Sequence, residues 1–138
     1  MKLEFHHINY VSTNIKELDI FYQDIMQMNA ISPKKFPRTI ATNKAGYDGK
    51  IKFVTEGTMQ MHLAEQDLTI ANKHNQKINP VEKGHIAYRT DDIEAFKKHL
   101  KENNVEYTDW GNIGVSGWHQ IFFYDPDGNI IEVHQKKI

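Results

Sequence analysis

An internal repeat constrains this chain more than any other feature. His85-Ile86-Ala87-Tyr88 repeats His7-Ile8-Asn9-Tyr10 at an offset of 78 (85 − 7), and Ile93 repeats Ile15 at the same offset. Ser12 and Thr90, and Asn14 and Asp92, are similar pairs at that spacing. A second match links 51–65 to 121–135: Phe53 and Phe123 lie 70 apart (123 − 53), as do His62 and Glu132 (132 − 62). At 138 residues the chain is one ordinary domain or two small modules sharing a core.

Periodicity supplies the elements of each copy. Residues 3–11 alternate like a strand. Asn14 and Glu17 have the spacing of a helix N-cap and its reciprocal Glu, and Ile15, Leu18, Phe21, Tyr22 and Ile25 recur at helical spacing, so a helix is expected over 15–28. Short strands are expected at 38–42, 50–55 and 59–64. The second copy opens at His85 with a strand to Arg89 and a helical stripe of Ile93, Phe96 and Leu100. Strands follow at 105–108, 121–124 and 130–134, the last two joined by the turn Asp125-Pro126-Asp127-Gly128-Asn129. Each half thus reads βαβββ, with module 1 over about 1–66, a polar linker over about 67–83 and module 2 over about 84–138.

A duplicated half has a consequence for polarity. One sheet face of each module is covered by its own helix, through Ile8, Tyr10, Met59, Met61 and Leu63 in the first and Ile86, Tyr88, Ile131 and Val133 in the second. Residues of the other parity, His7, Asn9, Gln60, His62, His85, Ala87, Ile130, Glu132 and His134, face away from the helices. If the two sheets join side by side, the uncovered faces make one trough. His7 with His85, and His62 with Glu132, then converge in it by pseudo-symmetry. Taken singly, each is an ordinary polar residue on a half-exposed strand, and a one-residue slip would replace His62 by Met61. Taken together, three imidazoles and a carboxylate suit Zn, Ni, Fe, Mn or Co as a divalent ion. Glu132 lies between Ile131 and Val133, where a carboxylate is costly unless its face is wet or ligating.

The remaining histidines are assigned elsewhere: His134 to an exposed chain end, His6 to the helix side, His74 and His99 to solvent. His119 or Gln120 is expected at the trough rim, and Phe36, Arg38, Tyr47, Trp110 and Trp118 are candidate walls of a small-molecule pocket. Composition narrows the function. The net charge is −1, which leaves no electrostatic footprint for nucleic acid or an anionic membrane. No apolar run is long enough to span a bilayer and no signal-peptide pattern opens the chain, so a cytoplasmic protein is expected. There is no cysteine, which excludes thiolate ligands and Cys nucleophiles.

FHHINYVSTNIKELDIFYQDIM, MQMHLAE, GHIAYRTDDIEAFKKHL and above all FFYDPDGNIIEVHQ resemble the vicinal oxygen chelate superfamily of glyoxalases, extradiol dioxygenases, methylmalonyl-CoA epimerase and fosfomycin- and bleomycin-resistance proteins. The resemblance spans essentially the whole chain. It implies an α+β fold of two βαβββ modules forming an open, mixed-sheet barrel around one metal, and carries the ligand role onto His7, His62, His85 and Glu132. It further implies chelation of two vicinal oxygens of a substrate, with Glu132 able to dissociate as a catalytic base. Glyoxalase I has a carboxylate where His62 stands, and the polar cluster of the fosfomycin enzymes before the DPDG turn has no match in GVSGWHQIFF. The expectation is therefore a metal-dependent lyase, isomerase or oxygenase acting on a small oxygen-rich substrate; the alternative is a non-catalytic drug- or metabolite-binding protein like the bleomycin-resistance members. A homodimer is expected, with His7 and His62 of one chain meeting His85 and Glu132 of the other.

Overall fold

Strands β1 (Leu3–Ser12) and β5 (His85–Thr90) run antiparallel side by side and form the seam between the two repeats. The computed structural model describes residues 1–38, 47–73, 75–126 and 128–137; the expected strand at 38–42 falls almost wholly outside them, as do His74 and Asp127. Around the seam lie β2 (Asn29–Ala30), β3 (Ile51–Thr55), β4 (Gln60–Glu65), β6 (Tyr107–Gly111), β7 (Trp118–Tyr124) and β8 (Ile130–Lys136). Among the described residues they make one open mixed sheet in the order β2-β3-β4-β1-β5-β8-β7-β6.

The repeat is exact at the level of register. β4 lies parallel to β1 with Asn9 beside His62, and β8 lies parallel to β5 with Ala87 beside Glu132. The trough parity of each half is therefore set by the same pairing. Gly84, at φ 87, permits the seam: a side chain there would collide with the Asn9 carbonyl oxygen, so glycine lets β5 begin against β1 and brings His85 across from Asn9.

Helix α1 (Ile15–Ile20) starts at Asn14, whose Oδ1 accepts from the Glu17 backbone N–H at 3.1 Å while its Nδ2 donates to Glu17 Oε2 at 3.1 Å. It then differs from the expected continuous helix. Phe21–Ile25 widen into a single π-turn, closed by Gln27 at φ 58. The wider turn shifts the buried face, so Ile15, Leu18 and Tyr22 pack on the sheet while Phe21 and Ile25 face outward. Helix α3 (Ile93–Glu102) follows its expected stripe and buries Ile93, Phe96 and Leu100.

Each helix covers its own half. Ile15 meets Val54, Met61 and Leu63; Ile93, Phe96 and Leu100 meet Ile121, Phe123 and Val133. On the opposite face Ala64, Trp110, Phe122 and Ile130 pack with Ile70, Ile78 and Val81. The polar stretch between the modules is thus seated in the core, where short helix α2 (Ile70–Lys73) and the buried Asn79 hold it; Asn79 Nδ2 donates to the Asp67 carbonyl at 2.7 Å. No described helix is long and apolar enough to cross a membrane.

Candidate metal centre

The trough concentrates donors at the seam. His7 on β1, His85 on β5 and Glu132 on β8 each offer one ligand atom, all within 4.8 Å of one another. Glu132 Oε1 is the meeting point, 3.1 Å from His85 Nε2 and 3.9 Å from His7 Nε2. The sequence expectation drew these residues from two chains; here one chain brings them together. His7 and Glu132 are each only 2% exposed.

Hydrogen bonds aim the rings. His85 Nδ1 is 2.9 Å from the Pro80 carbonyl, which only accepts, so Nδ1 donates there and the ring turns its Nε2 edge to the centre. His7 Nδ1 pairs with His6 Nδ1 at 2.8 Å, which leaves His7 Nε2 facing Glu132. Such partners on the far nitrogen are the usual way a protein orients metal-ligating imidazoles.

Charge follows burial. Burial, reinforced by neighbouring His62, holds His7 well below the ordinary imidazole range, so its ring is neutral at neutral pH. His62 is lowered to about 3, chiefly by burial, with Glu132 opposing. Burial opposes ionisation of Glu132, but His7 and the hydrogen bonds from His134 and His85 outweigh it and keep the carboxyl well below its usual range. A buried carboxylate beside the neutral His7 ring is short of positive charge. Two nitrogen donors and one oxygen donor around that deficit fit a divalent transition-metal ion.

His62 stands beside this trio and outside its mutual 4.8 Å. Its ring stacks on His7 at 3.7 Å and 14°, and its Nε2 is 2.7 Å from Gln60 Oε1. Of the expected pocket walls, Phe36, Arg38, Tyr47, Trp110, Trp118 and Gln120 line a cavity of about 100 Å³ that opens onto His7, His62, His85 and Glu132. His119 does not line it: strand alternation turns Trp118 and Gln120 inward, and His119 Nε2 pairs outside with Asp109 Oδ1 at 2.8 Å.

Two histidines are placed differently from expectation. His134 is fully buried, not an exposed chain end, because β8 is flanked by β5 on one side and β7 on the other. Its Nδ1 lies 2.6 Å from Glu132 Oε2, and Trp118 stacks on it at 3.9 Å and 9°. His6 is not on the helix side. A bulge between Phe5 and His7 breaks the alternation of β1 and brings His6 next to His7, His134 and Trp118. Burial lowers His6 to about 3, with His134 and Arg89 adding to it. Shared parity with Glu132 was the signal available for His134; a bulge leaves no clear trace in the sequence. Asn9 also enters the site, with a buried Oδ1 that has no hydrogen-bond partner among the described residues.

Comparison with known proteins agrees with this architecture. The family model described as Glyoxalase/Bleomycin resistance protein/Dioxygenase superfamily matches residues 4–133. No curated protein matches the chain. Among solved structures, a hypothetical protein from Bacillus halodurans C-125 is similar at TM-score 0.70 and 22% identity, covering 100% of this chain and 97% of that one. A glyoxalase/bleomycin resistance protein/dioxygenase superfamily member from Vibrio splendidus 12B01 is similar at TM-score 0.59 and 14% identity, covering 97% and 99%. Methylmalonyl-CoA epimerase from Mycobacterium tuberculosis is similar at TM-score 0.64 and 16% identity, covering 97% and 88%. These identities carry the fold; the family match, over nearly the whole length, carries membership. With its paired βαβββ modules and the match over 4–133, the chain belongs to the Glyoxalase/Bleomycin resistance protein/Dioxygenase superfamily.

Proposed function

We propose that the chain is a divalent-metal-dependent enzyme, of lyase, isomerase or oxygenase type, that acts on a small oxygen-bearing substrate. The observation that carries the proposal is the convergence of His7 Nε2, His85 Nε2 and Glu132 Oε1 in a buried trough beside a cavity. His7, His85 and Glu132 would hold the ion, with His62 next to them as the expected fourth ligand. A divalent ion there would polarise the oxygens of a bound substrate.

The chain's own groups do the rest. Phe36, Phe53 and Trp118 form an apolar cluster beside the donors and exclude water from that side. Asn9 Oδ1, without a partner among the described residues, would accept a hydrogen bond from a substrate hydroxyl. Glu132 is the one carboxylate among the cavity's described lining residues, so a proton leaving the substrate goes either to it or to an imidazole.

The competing reading is a binding protein that takes a metabolite into the same aromatic cavity without a metal. Chelator-treated protein, dialysed against Zn²⁺, Ni²⁺, Mn²⁺, Fe²⁺ or Co²⁺, separates the two. The enzyme reading expects uptake of one ion per chain, lost in the double variant His85→Ala, Glu132→Ala. Ligand binding that survives both chelation and that double variant, with no ion taken up, would sink it.

A further inference from the structure

We propose that Arg89 and His134 are positioning residues that hold Glu132 as a one-oxygen ligand, locking Oε2 and presenting only Oε1 to the ion. The inference rests on the metal-centre reading above.

The argument starts with arginine, whose guanidinium donates and never accepts. Arg89 Nε–H donates to His134 Nε2 at 3.0 Å. That nitrogen must therefore carry the lone pair, and the ring proton sits on Nδ1. From there it can only point at Glu132 Oε2, 2.6 Å away. Arg89 thus sets the tautomer, and the tautomer sets which carboxylate oxygen is tied.

The ring that transmits this cannot turn. Its two edges are hydrogen-bonded, Trp118 lies flat on it at 3.9 Å, and His6 stands edge-on at 4.7 Å. The Arg89 guanidinium in turn sits over the Trp118 ring at 5.0 Å. His134 is 0% exposed, so no water competes for Nδ1–H or Nε2. Glu132 Oε1 is left facing His85 Nε2 and His7 Nε2. A carboxylate tied at one oxygen ligates through the other alone, which keeps a coordination position free for substrate.

The repeat argues that this device is not needed for folding. In the second half Arg89 on β5 pairs in register with His134 on β8. The same place in the first half holds Val11 beside Ala64, with no polar group at all. The first half of the sheet therefore forms with an apolar pair there, and the hydrogen-bonded Arg89–His134 pair stands only behind the carboxylate.

Zinc affinity, measured by competition with a chromophoric chelator, and the His134 tautomer, read from long-range nitrogen–proton NMR correlations, test this in the full chain. Wild type is expected to show a single Nδ1–H tautomer with and without zinc. Arg89→Met is expected to lose that single tautomer and to weaken zinc binding by about 10- to 100-fold. His134→Phe keeps the stacking but removes the donor and should show a similar loss. His134→Asn keeps an N–H near Oε2 and should recover to within about 10-fold of wild type. Arg89→Met keeps its own readout should His134→Phe fail to fold. A wild-type chain that binds zinc, with Arg89→Met unchanged in both tautomer and affinity, overturns this inference alone. A wild-type chain that takes up no zinc overturns the metal centre and this inference with it.

Discussion

His85 Nε2 and Glu132 Oε1, 47 residues apart in the chain, meet at 3.1 Å across adjacent parallel strands, while the other nitrogen of His85 is tied to Pro80. The ring is thereby oriented before any ion arrives. Preorganised donors of this kind lower the cost of binding, because side chains that are already ordered lose little entropy. Loss of either partner should accordingly cost more than loss of a neighbour. His85→Ala and Glu132→Gln are expected to weaken metal binding by more than about 100-fold, above the range of outer-shell changes. His62→Ala is expected to cost less, because its Nε2 is engaged by Gln60 Oε1. Isothermal titration of the three variants checks the order, and a larger loss for His62→Ala than for His85→Ala would contradict it.

The buried imidazoles should make the metal-free protein acid-sensitive. Unfolded His62 takes up a proton near 6.5, whereas folded His62 does so only near 3. Between those values the unfolded state binds more protons, so stability is lost as pH falls through that window. His62 alone contributes a slope of about 1.4 kcal/mol per pH unit. His6 and His7 act in the same sense, and Glu132 adds to it below 4.5. Urea unfolding of chelator-treated protein at several pH values measures the slope, and His62→Gln should flatten it by about one proton. A flat profile from pH 7 to pH 4 would count against the burial of these rings.

The two helix-covered cores should be energetically separate. Leu63 in the first and Ile93 in the second are both 0% exposed and belong to different clusters. Leu63→Ala and Ile93→Ala are each expected to cost about 2–5 kcal/mol. The double variant should equal their sum to within about 0.5 kcal/mol. Chemical denaturation of the three variants decides it; a coupling well above that would mean that the halves share one core.

A second copy of the chain is expected to cover the outer side of α1 and its π-turn. Tyr10, Ile20, Phe21, Ile25 and Met26 are all 45% exposed or more, an apolar surface larger than isolated exposed residues would explain. Analytical ultracentrifugation should show a dimer that Ile25→Lys with Phe21→Lys converts to a monomer. A wild-type monomer at micromolar concentration would contradict this pairing.

Much of the fold was legible because a duplicated sequence reports on itself. The repeat offsets that relate His7 to His85 (78) and His62 to Glu132 (70) foretold the trough, since matched registers put matched residues on one face. Local deviations were not legible. The bulge at His6 and the π-turn at Phe21 each add one residue to a regular element, and each sent side chains to a face that alternation or helical spacing denied them. His134 was misplaced for a different reason. Closeness to the end of the chain suggested exposure, whereas β8 is paired on both sides and stays buried through His134. The Arg89–His134 pair lies 45 residues apart and depends on one tautomer, which no spacing in the sequence encodes.

Anomalous diffraction from a crystal of zinc-loaded protein tests the central claim most directly. The account predicts one zinc peak per chain, at about 2.0–2.2 Å from His7 Nε2, His85 Nε2 and Glu132 Oε1, with Glu132 Oε2 still on His134. A peak elsewhere, or none at those three atoms, would contradict it.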